Sequence, residues 1–127
     1  MKSCIFFLGS SLFFSWQLSA AENVPNGEAL YGKYCSVCHS ISPPALNAPA
    51  MRSIAALYHR KYQQRSEGVA RIAAFIKLPS VKNALDQVAI SRYGLMARVP
   101  ATSKETQAVS EWLWDQAGGI LPPVKGR

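Results

Sequence analysis

Cys35-Ser36-Val37-Cys38-His39 is the stretch whose reading decides the fold. Residues three and four apart share one face of a helical turn, so two thiols and an imidazole from this segment face the same side. Three ordinary chemistries use such groups. A redox dithiol places its C-x-x-C after a strand, with the first thiol at a helix start; no β-branched strand precedes Cys35. A structural zinc site needs four N or S ligands; Cys35, Cys38, His39 and His59 reach that count, without a second paired spacing. A local disulfide between Cys35 and Cys38 is the third.

A fourth chemistry uses all three groups together. C-x-x-C-H is the attachment signature of c-type haem, in which Cys35 and Cys38 would each form a thioether with a vinyl group and His39 would turn its ring to the iron. The expected cofactor is therefore one covalent haem c, bound by Cys35 and Cys38, with His39 as the proximal iron ligand. No second such motif occurs along the chain.

The surroundings of the motif point to an exported protein. Met1-Lys2 gives a positive start, Ile5 to Leu18 is an apolar run, and Ser19-Ala20-Ala21 offers small residues for cleavage. Residues 1–21 read as a secretory signal peptide cleaved near Ala20 or Ala21, which places the mature protein in the periplasm. An apolar run of about 14 residues is short for a bilayer crossing, so no stable membrane span is expected. Cys4 lies within the leader.

Removing residues 1–21 from the 127 leaves 106, enough for one small domain, 22–127, with 118–127 as a loose carboxy-terminal tail. A domain of this size buries a limited share of its surface and commonly needs a staple. The leader takes only Lys2 among the charged residues, so 13 basic groups face 7 acidic ones and the net charge is +6. That charge suits an acidic docking partner or an anionic surface, or is an ordinary solvated exterior. Nucleic acid, the other usual partner of a basic chain, does not fit export.

No segment alternates as a strand. Pro25-Asn26 can start a helix at Gly27 or Glu28 that runs through Tyr34 into the motif, and Ser42 to Pro49, with three prolines, reads as a loop. Met51 to about Tyr62 has Ile54, Leu57 and Tyr58 at helical spacing. Ser66 is read as the cap of a helix carrying Val69, Ile72, Ala73 and Ile76 and stopped by Pro79. Ser80 is read as the cap of a further helix from Val81 to about Ser91, broken at Arg92-Tyr93-Gly94. Thr102 and Glu105 form a T-x-x-E capping box for a last helix with Val109, Trp112 and Leu113 inward and Gly118 as its stop.

Gly27, Leu30, Tyr31, Cys35, Cys38 and His39 form G-x-x-L-Y-x-x-x-C-x-x-C-H, which resembles the amino-terminal helix of class I cytochrome c domains. The resemblance implies an all-α cytochrome c fold of about four to five helices around one haem. It implies that the last helix crosses closely at Gly27, that Tyr31 packs against it, and that Trp112 lies near Gly27. It also implies that a proline carbonyl holds Nδ1 of His39. Pro49 is the candidate, with Pro43 and Pro44 nearer in sequence.

Arg92-Tyr93-Gly94-Leu95-Met96 resembles the methionine loop of small bacterial cytochromes, which makes Met96 the expected distal iron ligand. That family usually has proline directly after the methionine, whereas here Ala97-Arg98-Val99-Pro100 follows. Met51 and His59 are the other candidates, Met51 more naturally a core residue and His59 a surface one in a basic run. Arg52, Arg60, Tyr62, Arg92 and Tyr93 are candidate partners for haem propionates.

With two protein ligands the iron is closed to substrates. The expected function is electron transfer between redox proteins, without enzymatic chemistry of the chain's own, either as a free shuttle or as the haem subunit of a periplasmic dehydrogenase. The alternative is a haem-based sensor or peroxidase-like protein with an open or labile sixth position. No acid, base or nucleophile arrangement of a catalytic site is apparent.

Overall fold

The computed structural model describes residues 23–119. The expected signal peptide and residues 120–127 of the expected tail lie outside the described residues. Within them the chain is helical: α1 (Gly27–Tyr34), α2 (Met51–Lys61), α3 (Arg65–Lys77), α4 (Gln87–Tyr93) and α5 (Ser103–Asp115), followed by a 3-10 turn, Gln116–Gly119. Among the described residues no helix is long and apolar enough to cross a membrane.

Helix α5 is the hub. It packs against α1, α2 and α3, and the 3-10 turn that extends it packs against α2. Its start is secured by the expected capping box: Thr102 Oγ1 accepts from the Glu105 amide at 3.2 Å, and Glu105 Oε2 accepts from the Thr102 amide at 2.9 Å. Its apolar face buries Val109, Leu113 and Trp114, with Thr106 and Ser110 turned inward as well. Those two hydroxyls donate to the carbonyls of Thr102 and Thr106, four residues back in each case, so neither is left unsatisfied.

The crossing of α1 over α5 follows from glycine. A Cβ on Gly27 would stand 2.7 Å from the Ala108 carbonyl oxygen and would overlap Trp112, so only a hydrogen fits there. One turn on, the Tyr31 ring stacks on Trp112 with centroids 4.9 Å apart. A second close approach joins α3 to α5: Cβ on Gly68 would lie 2.6 Å from Cη2 of Trp114. Around it, Met51, Ala55, Tyr58, Val69, Ile72, Leu113, Trp114 and Ala117 form one buried cluster.

Three element boundaries differ from the sequence expectations. Helix α3 starts at Arg65, so Ser66 lies inside its first turn and Gln64 occupies the cap position without a side-chain bond; the earlier start brings Arg65 to 3.1 Å from Asp115 at the end of α5. The expected helix from Val81 to Ser91 is a turn followed by the shorter α4. Ser80 does cap, but it caps the turn, accepting from the Asn83 amide through its hydroxyl at 3.1 Å, while Asp86 caps α4 by accepting from the Ala89 amide at 2.9 Å. Gln87 Nε2 then donates to the carbonyls of Val81 and Ala84, which closes the turn and removes the need for a continuous helix. Finally, α5 ends at Asp115, and Gly118 lies in the 3-10 turn beyond it.

Candidate functional site

The motif begins where α1 stops. Cys35 is the carboxy-terminal cap of α1, and the turn continues through hydrogen bonds from the Cys38 and His39 amides to the Cys35 carbonyl, at 3.1 and 2.9 Å. This places both thiols and the imidazole on the wall of one cleft of about 370 Å³. Both thiols are free. The position at a helix carboxy terminus is opposite to the one that activates a thiolate, and burial pushes the Cys35 thiol up to about 11. A neutral thiol of this kind does not suit a redox dithiol.

His39 is fixed from both sides. Its Nδ1 lies 2.7 Å from the Pro49 carbonyl oxygen; a carbonyl only accepts, so Nδ1 carries a proton, and in the neutral ring the lone pair is on Nε2. Its own carbonyl accepts from the Tyr31 hydroxyl at 2.7 Å. Pro49 reaches His39 because the loop folds back: His39 and Ala48 form a parallel bridge, and the Ser40 hydroxyl donates to the Pro44 carbonyl at 2.8 Å. Helix α2 starts from this clamp without a capping side chain, its Met51 and Arg52 amides donating to the carbonyls of Ser40 and Ile41 at 2.8 and 3.0 Å. Of the three candidate prolines, Pro49 is the one that meets the ring.

Met51 and Met96 both line the cleft, in different settings. Met51 is 4% exposed, belongs to the core cluster, and is tied through its amide to the residue after His39. Met96 is half-buried in the irregular segment between Gly94, with φ of 83°, and α5. His59 does not line the cleft, nor is it a solvated surface residue. Its ring stacks on Trp114 with centroids 3.7 Å apart, and Nε2 donates to the Trp114 carbonyl at 3.0 Å. A zinc set of Cys35, Cys38, His39 and His59 is therefore not assembled, and among the described residues no group of three or more His, Cys, Asp or Glu side chains is placed to hold a metal ion.

The walls are mostly apolar: Ile54 and Leu57 from α2, Phe75 and Ile76 from α3, Ala89 and Ile90 from α4. Helix α4 makes no close contact with any other helix among the described residues, so it faces the rest of the bundle across the cleft. Of the polar residues proposed from sequence for an anionic group, Tyr93 lines the cleft, whereas Arg52, Arg60, Tyr62 and Arg92 do not. Arg98 lines it, and sequence reasoning passed over it although it stands two residues after Met96. Tyr34, Tyr58 and Asn47 line it as well. Tyr58, 6% exposed, has its hydroxyl pushed up to about 12 by burial, so it stays protonated and able to donate.

No family model, curated protein or solved structure matches this chain.

Proposed function

We propose that this chain is an exported monohaem c-type electron carrier of class I-like architecture. One observation carries the proposal: Cys35, Cys38, His39 and Met96, drawn from two distant parts of the sequence, line a single largely apolar cleft, with the Nδ1 proton of His39 already committed to Pro49. The set fits a flat apolar macrocycle with two vinyl arms and an iron centre. Cys35 and Cys38 would each add S–H across one vinyl group, an addition that needs no external oxidant or reductant. His39 would offer Nε2 to one side of the iron, its basicity raised by the bond to Pro49. Met96 would offer a thioether sulfur as the second axial ligand. Haem supplies one-electron chemistry, and Met/His ligation sets its potential above that of a His/His pair.

The apolar residues of α2, α3 and α4 would keep water from the ring, and Arg98 and Tyr93 would meet its carboxylates. The excess of basic residues would draw an acidic redox partner, in the periplasm either a free acceptor or the catalytic chain of a dehydrogenase. One observation favours the alternative of a labile sixth position: α4, which leads into the segment bearing Met96, is packed on no other helix among the described residues.

The test is the spectrum of the ferric protein produced with export and haem attachment intact. A methionine-to-ferric-haem charge-transfer band is expected, abolished in Met96→Ala and retained in Met51→Leu and His59→Ala. A band that survives Met96→Ala would assign the ligand elsewhere. A high-spin wild-type spectrum would replace the carrier with the open-site protein.

A further inference from the structure

Glu105 joins the end of α1, which leads into Cys35, to Thr102, which follows the segment of Met96. Its Oε1 accepts from Lys33 Nζ at 3.1 Å and from the Tyr34 hydroxyl at 3.2 Å, both at the end of α1, and Tyr34 lines the cleft next to Cys35. Its Oε2 accepts from the Thr102 amide at 2.9 Å, just beyond the segment that carries Met96. These contacts span more than seventy residues of sequence. A glutamate that served only as a capping-box partner would need the Thr102 bond alone.

The junction matters because residues 95–100 belong to no helix or strand and lie on the cleft wall. Upstream of them, α4 is packed on no other helix among the described residues. Gly94 takes φ of 83°, which ends α4 and turns the chain into the irregular stretch that bears Met96. Downstream, Thr102 caps the start of α5. The wall that bears Cys35 and His39 and the start of α5 are thus joined at this end by one carboxylate, in addition to the packing of α1 on α5.

We propose that Glu105 is a positioning residue for the Met96 ligand: by tying Lys33 and Tyr34 of α1 to Thr102, it sets how closely the Met96 segment approaches the His39 side of the cleft. The inference rests on the electron-carrier reading above and adds to it a residue that touches neither iron nor ring. Charge-assisted bonds of this sort are stronger than neutral ones and hold geometry better.

The test uses two variants of the full-length, haem-loaded protein. Glu105→Ala removes all three bonds, and the double variant Lys33→Leu with Tyr34→Phe removes only the α1 side and leaves the capping box intact. Arg65→Gln, which breaks the surface pair with Asp115, is the control. Denaturant titration follows two signals, the methionine-to-ferric-haem band and helical circular dichroism. In both test variants the band is lost at a lower denaturant concentration relative to the helical midpoint than in wild type, while haem content stays the same; the control leaves the gap unchanged. If Glu105→Ala fails to fold, the double variant decides.

If the two signals move in step in every variant, Glu105 serves stability alone and the positioning role is overturned while the carrier reading stands. A wild type that holds haem without the band overturns both.

Discussion

His39 Nδ1 and the Pro49 carbonyl oxygen are 2.7 Å apart, which commits Nδ1 to the loop and leaves Nε2 as the ring atom available to the cleft that His39 lines. The same proline precedes α2, whose first amides close the loop onto Ser40 and Ile41, so the ring is oriented before any ligand arrives. Nitrogen NMR of the His39 imidazole is expected to show the proton on Nδ1, slow to exchange. A neutral ring protonated on Nε2 in place of Nδ1 would mean that the loop does not hold it.

Gly27 gives a prediction in which two effects have opposite sign. Alanine in place of glycine within a helix ordinarily gains roughly 1 kcal/mol. Here the added methyl would collide with Trp112 and stand 2.7 Å from the Ala108 carbonyl oxygen, and overpacking of that kind costs about 1–3 kcal/mol or more. Gly27→Ala is expected to destabilise in urea unfolding, and a stabilised variant would show that α1 and α5 do not cross there.

Gly68 and Trp114 are expected to behave as a coupled pair. Gly68→Ala forces the new methyl into the indole, and Trp114→Ala should cost about 3–5 kcal/mol as a buried aromatic. In the double variant the methyl has room, so its cost should be smaller than the sum, by a coupling of about 0.5–3 kcal/mol. Simple additivity would contradict the contact.

Acid should weaken the α1–α5 junction. Glu105 is held down to about 2 from an ordinary value of 4.5, first by its bond from the Thr102 backbone and then by Lys33. A carboxylate with a depressed folded value contributes stability above its unfolded value, and that contribution is lost as pH falls through the folded one. Wild type should therefore exceed Glu105→Gln in stability near neutral pH, with the gap closing between 4.5 and about 2. A gap that does not change with pH would mean that the charge plays no part.

Much of this arrangement was legible because its signals are local. The T-x-x-E box at Thr102 and the prolines after the motif each have a short-range physical meaning, and α5 and the loop follow them; the α1–α5 crossing at Gly27 has no local signal and was expected only from the resemblance carried by Gly27, Leu30 and Tyr31. The segment from Val81 to Ser91 misled because its helical spacing was real. What overrides it is an aspartate five residues on that caps better, and a Gln87 side chain that closes the turn at Val81 and Ala84.

His59 was unreadable for a different reason. Its basic neighbours suggest solvent, whereas the indole it stacks on comes from 55 residues further along the chain. Arg98 was likewise obscured, since only the fold shows which of several arginines reaches the cleft.

The central claim is a covalent one, and intact mass tests it most directly. The polypeptide produced in a periplasm with working haem-attachment machinery is predicted to carry the added mass of one haem, which Cys35→Ala combined with Cys38→Ala removes. A mature chain of unmodified mass, under conditions where a control cytochrome is loaded, would contradict the account.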